Sequence, residues 1–171
     1  FLDQNACSSP HVIFWIGKNL NKSRLKFWNY VSDYAKNNYN QPDIATIDKL
    51  SNYYKDIIEN KIKNKLNLNS FTYNLLLNKI DPKHFNSLRG KWGYFYEYDL
   101  KKIEFLNKFL DDKVQTLIYF GIDHEKVFKQ MRLHKDNAVD RIVPIGNAHQ
   151  FTQNWDGYDL ILSMTRKIDH Y

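Results

Sequence analysis

Cys7 is the single cysteine of this 171-residue chain. It stands in Phe1-Leu2-Asp3-Gln4-Asn5-Ala6-Cys7-Ser8-Ser9-Pro10, among small and polar neighbours, immediately ahead of the apolar run His11-Val12-Ile13-Phe14-Trp15-Ile16. A thiol reacts as its thiolate, and at an ordinary pKa of about 8.5 only a few per cent is ionised at neutral pH. A nucleophilic cysteine therefore needs a base or a loop that favours the anion. A carbonyl it attacks needs backbone N–H donors for the oxyanion that forms. Ala6, Ser8 and Ser9 are small enough to let a carbonyl approach. A lone cysteine is more often a buried filler, but these polar neighbours weigh toward a thiol presented from a loop.

The rest of the chain offers few competing centres. The six histidines form no metal pattern: His124 and His134 are ten apart and no His-Glu-x-x-His segment occurs. His11 lies four residues beyond Cys7 on an expected strand, where a strand-end role explains it equally well. Neither a Walker-type phosphate loop nor a G-x-G-x-x-G is present, so any nucleotide site is expected mostly elsewhere. Arg24, Lys26, Phe27 and Trp28 mix bases with aromatics, as single-strand binding platforms do. Their helical spacing is explained better by a core, and no nucleic-acid partner is expected. No cluster points to a bound metal.

The formal charge of +6 favours anionic partners. The lysines, however, alternate with acids, as in Lys55-Asp56 and Glu59-Asn60-Lys61, which is the pattern of a solvated helix surface. One cysteine excludes an internal disulfide framework or a multi-cysteine zinc site. No apolar run approaches the ~18 residues that span a bilayer, and no secretory leader pattern opens the sequence. A reducing, cytoplasmic setting is the expectation. The start at Phe1 suggests a fragment of a longer protein.

These residues need elements to position them. A strand is expected over 11–16, a turn at Gly17-Lys18-Asn19, and a helix from about Ser23 with Leu25, Trp28, Val31 and Ala35 on one face. A second helix should turn Ile47, Leu50, Tyr54, Ile57 and Ile62 inward and a charged face outward. Strands are expected over 71–77, 94–98, 114–122 and 139–146, with Pro144 holding the last to an edge or an end. Helices are expected over 100–110, with Leu100, Ile103, Leu106 and Leu110 inward, over 124–133, and from about Asp159. The alternation predicts one α/β domain over 1–171, with a mostly parallel central sheet flanked by helices.

Asp3-Gln4-Asn5-Ala6-Cys7-Ser8-Ser9-Pro10 resembles the active-site segment of bacterial long-chain acyl-CoA reductases of the luminescence type (LuxC-like). Val139-Asp140-Arg141-Ile142-Val143-Pro144-Ile145-Gly146 and Trp155-Asp156-Gly157-Tyr158-Asp159 are similar to segments of the same family. The family belongs to the aldehyde dehydrogenase-like superfamily. The resemblance implies that fold, with this chain as the catalytic portion following an N-terminal cofactor domain. It implies Cys7 as covalent nucleophile toward a fatty acyl-CoA or acyl-protein thioester, with reduction of the acyl-enzyme to an aldehyde by NADPH. It further implies Glu97 as a holder of the nicotinamide ribose, with Glu104 as rival, and an acyl-protein synthetase and a thioesterase as partners; a homo-oligomer is a separate expectation. An acyl chain would need an apolar channel, for which Trp15, Trp92, Phe95 and Tyr96 are the candidates. A short-chain acylating aldehyde dehydrogenase, a cofactor-free cysteine acyltransferase or hydrolase, and a non-enzymatic binding module stand as alternatives.

Overall fold

A computed structural model of the chain describes residues 2–6, 9–59, 61–64, 71–133 and 139–168. The chain falls into two compact units, residues 1–105 and 106–171.

The first unit is built on a four-stranded sheet in the order β1-β4-β3-β2. Strand β1 is Val12–Ile16, β2 is Ile62–Asn64, β3 is Tyr73–Leu77 and β4 is Tyr94–Leu100. Strand β4 is parallel to both β1 and β3, and only β2 runs antiparallel to β3. The sheet is thus mostly parallel, as the alternation predicts. All five residues of β3 are buried, and so are Tyr94–Glu97 of β4. Such strands are covered on both faces.

Successive residues of β4 point to opposite faces, and two helices meet them. Phe95 packs against Trp28 of α1 (Leu20–Asn38), with ring centroids 5.1 Å apart. Leu2, Trp28, Ala35 and Phe95 form the buried apolar cluster on that face. Tyr94 and Tyr96, on the other face, donate hydroxyl hydrogen bonds of 2.6 and 3.0 Å to Asp56 of α2 (Ile44–Ile58). The sheet lies between the two helices.

Helix α2 overturns an expectation. Its buried side is Ala45, Lys49, Tyr53 and Asp56, whereas Ile47, Leu50, Tyr54 and Ile57 are exposed. The reason is the tyrosine-rich face it meets. Asp56 takes the two tyrosine hydroxyls; Lys49 Nζ donates to Gln41 Oε1 at 2.6 Å and to the Phe71 carbonyl at 3.1 Å, and lies over the Tyr73 ring. Polar side chains are buried because each finds a partner there. The expected position of Ile62 on this helix also fails, since α2 ends at Ile58 and Ile62 opens β2.

Strand β4 runs on to Leu100, and the expected helix over 100–110 is a 3-10 turn at Ile103–Lys108. Leu100, Ile103, Leu106 and Leu110 are nonetheless all buried.

The second unit pairs β5 (Thr116–Tyr119) in parallel with β6 (Arg141–Pro144), connected through α3 (His124–Arg132). Asp123 caps α3, its carboxylate accepting from Lys126 N–H at 3.0 Å. A hairpin of β7 (Asn154–Trp155) and β8 (Tyr158–Asp159) precedes α4 (Leu160–Met164). Its turn residues Asp156 and Gly157 both have positive φ, 48° and 78°, as a type I′ hairpin requires. Among the described residues, no helix is long and apolar enough to cross a membrane.

Candidate functional site

Cys7 and Ser8 lie outside the described residues, but their flanks are well defined. Leu2 is buried in the α1-side cluster and anchors the segment from upstream. Gln4, 5% exposed and at φ 55°, fastens it to the sheet. Its Nε2 donates to the carbonyls of Pro10 and Tyr94, both at 3.0 Å. Its Oε1 accepts from the backbone N–H groups of Gly93 (3.1 Å) and Tyr94 (2.9 Å). One amide thereby ties together the two sides of the loop and the start of β4. Ser9 N–H donates to the Ala6 carbonyl at 3.0 Å, so the backbone is pinned on both sides of positions 7 and 8.

The receiving turn is equally specified. Trp92 and Gly93 both have positive φ, 62° and 81°. A Cβ at Gly93 would stand 2.4 Å from the Phe71 carbonyl oxygen, so only glycine fits beneath Gln4. The Trp92 indole donates to Asp48 of α2 at 2.9 Å.

His11, at the entry to β1, is half-buried, and its Nδ1 has no hydrogen-bond partner among the described residues. Burial, reinforced by the nearby Arg89 guanidinium, lowers its pKa below the usual 6.5 despite an opposing hydrogen bond with Gly90. Both influences favour the neutral imidazole.

Glu97 sits on the α1 face of the sheet and is fully buried. Its Oε1 accepts from Trp28 Nε1 at 2.9 Å and Asn74 Nδ2 at 3.1 Å. Its Oε2 accepts from Arg24 Nε at 2.9 Å and from the Trp15 indole. The Arg24 guanidinium, itself 3% exposed, also pairs with Asp99 and lies over the Trp15 ring at 5.3 Å. Arg24 is thus a buried ion-pair partner, in keeping with a packing role for the basic-aromatic stretch. A ribose hydroxyl reaching Glu97 would have to displace one of these donors. Glu104, the rival, is exposed on the 3-10 turn.

The four channel candidates do not converge. Trp15 and Phe95 face α1, Tyr96 faces α2, and Trp92 stands at the turn before β4. The alternation of β4 separates Phe95 from Tyr96, so these four line no common channel.

In the second unit the two resemblance-bearing segments meet. Arg141 lies over the Trp155 ring at 4.5 Å and donates to the carbonyls of Ala148 and Gln150. A Cβ at Gly157 would come within 2.9 Å of Asp140 Oδ1. Burial, with Asp156 nearby, raises the Asp140 carboxyl above its usual pKa. Sequence reading gave no function to this contact or to the Gln4 clamp. The Asp-Gly pair was the available signal for the former, and no local signal marks the latter.

No group of three or more histidine, cysteine or acidic side chains is placed to hold a metal ion among the described residues. No protein-family model matches the chain, and no curated protein matches it at a significant level.

Proposed function

We propose that this chain is the catalytic portion of an acyl-CoA reductase with an aldehyde dehydrogenase-like fold, and that Cys7 is its covalent nucleophile. The supporting observation is the Gln4 clamp, which holds the flanks of the cysteine loop against the amino end of β4. A loop that must bring sulfur to a carbonyl gains from such fixing, because misplacement by about 1 Å lowers rates by roughly 100-fold.

In this reading the Cys7 thiolate attacks the carbonyl carbon of an acyl thioester. The tetrahedral adduct collapses, the carbon–sulfur bond to coenzyme A breaks, and its thiolate departs with the electron pair. An acyl-Cys7 thioester remains. Sulfur suits both halves, being a strong nucleophile and a good leaving group. His11, whose burial favours the neutral ring, is the nearest imidazole in sequence to accept the thiol proton. NADPH, which the resemblance implies, does not fit Glu97, whose oxygens are both bonded internally. Its contacts in this reading come from other parts of the protein.

Mass spectrometry tests the reading. Incubation with tetradecanoyl-CoA should add one acyl group to the protein, released by hydroxylamine and absent in Cys7→Ala. An adduct that persists in Cys7→Ala, or the absence of any adduct, would sink it. Preference for acetyl-CoA would instead mark a short-chain enzyme.

A further inference from the structure

We propose that Tyr39 and Asp48 are positioning residues for the cysteine segment, which they hold from the two helices through a hydrogen-bonded bridge at Asp3 and Trp92. The Tyr39 hydroxyl, just beyond α1, donates to Asp3 Oδ1 at 2.5 Å. The Asp3 carbonyl accepts from the Trp92 backbone N–H at 3.5 Å, the longest of the three bonds. The Trp92 indole donates to Asp48 Oδ2 of α2 at 2.9 Å. Helices α1 and α2 cover different faces of the sheet, yet this path of hydrogen bonds joins them. It runs through a residue four positions before Cys7.

Both ends of the path are fixed. The Tyr39 ring packs against the cluster of Leu2, Trp28, Ala35 and Phe95, and its N–H closes the last turn of α1 on the Ala35 carbonyl at 2.9 Å. A ring already ordered by packing has little freedom left to lose when its hydroxyl bonds. Hydroxyl–carboxylate bonds this short are charge-assisted and roughly twice as strong as neutral ones. Burial and the Asp3 acceptor accordingly raise the Tyr39 pKa. At the other end, Asp48 precedes Lys49, whose Nζ is bonded to the Phe71 carbonyl. The bridge complements the Gln4 clamp. Gln4 bonds the main chain at Pro10, Gly93 and Tyr94 and touches neither helix through these contacts. The bridge instead ties the same segment, and the same turn at Trp92 and Gly93, to both helix layers. Its effect on acylation rests on the proposed role of Cys7; the bridge itself does not.

Tyr39→Phe and Asp48→Ala, made in the whole 171-residue chain, test this. Hydrogen exchange followed by NMR reads the bridge without any chemistry. In either variant the amides of Trp92 and Gly93, which bond to Asp3 and Gln4, should exchange about tenfold faster, with β3 amides unchanged. Acylation by tetradecanoyl-CoA reads the positioning role. Its maximal rate should fall about tenfold, a fraction of the roughly 100-fold cost of a full 1 Å misplacement. The half-saturating concentration should stay the same. The double variant should be about as slow as either single one, because a single path is cut in both. Tyr30→Phe, on the exposed side of α1, should leave every reading unchanged. Exchange at Trp92 and Gly93 indifferent to both variants overturns the bridge. A raised half-saturating concentration with an unchanged maximal rate, or an equal loss in Tyr30→Phe, overturns the positioning role. A complete lack of acylation in the unsubstituted chain sinks the Cys7 reading alone, and the exchange result then decides for or against the bridge.

Discussion

Glu97 and Arg24 are a carboxylate and a guanidinium removed from water together, and their worth lies in their mutual dependence. Breaking a buried pair leaves the surviving charge without compensation, which costs about 3–5 kcal/mol. Glu97→Ala should lower unfolding free energy by that amount in urea titrations. The double variant Arg24→Met/Glu97→Leu should lose clearly less than the two single losses added together, because the partners act as a unit. Gln4 is a different kind of determinant, a neutral amide satisfying four backbone groups. Gln4→Ala should cost about 2–4 kcal/mol through groups left unsatisfied. On the proposed reading it should also slow acylation of Cys7 roughly 100-fold when the loop loses its fixing. Stopped-flow release of coenzyme A would measure the second effect, and an unchanged rate would separate the clamp from the chemistry.

At the scale of elements, α2 shows why periodicity misleads. Apolar residues at helical spacing ordinarily turn inward, and here they turn outward. The sheet face beneath is made of Tyr73, Tyr94 and Tyr96, which offer hydroxyls and ring faces, so it selects Asp56 and Lys49. That choice depends on strands that follow α2 in the sequence and is invisible within the helix. Elements with self-contained signals were legible: β1, β4 and α3 lie close to where the residues indicate. Strands β5 and β6 are shorter than the runs expected for them, and no strands are expected at β7 and β8 although Asp156-Gly157 is a hairpin signal. In the candidate site, Glu97 was legible as a residue but not as a partner of Arg24, Trp15 and Trp28, which lie on β1 and α1, far upstream in the chain.

The burial of Lys49 gives α2 a pH signature. Desolvation pushes its pKa down to about 8, below the ordinary value of about 10.4. Between these values the unfolded chain holds a proton that the folded chain has lost, so stability rises with pH through that window. Tyr94 and Tyr96 act in the opposite sense. Burial and the Asp56 carboxylate raise their pKa values, so above about pH 10 the unfolded chain loses protons that the folded chain keeps, and stability falls. Urea midpoints should therefore climb from pH 7.5 to 9.5 and then drop. Lys49→Met should abolish the climb and keep the drop.

For the molecule as a whole, burial is uneven. All of β3 and the first four residues of β4 are buried, whereas β5 and β6 contain no buried residue. Amides in the most buried strands open only with large-scale unfolding, and lightly covered ones open locally. Hydrogen exchange should accordingly be slowest in β3 and β4, faster in β5 and β6, and fastest around β7, β8 and α4, whose residues are partly or fully exposed. Uniform protection across the chain would contradict this ordering.

The fastening at Gln4 stands apart from the charged contacts around it. A carboxamide neither ionises in the accessible range nor attracts counter-ions, so acid, base and salt leave that mooring alone. Any response of that mooring to pH is therefore inherited from its titrating neighbours, Tyr94 first among them, and not generated by the amide itself.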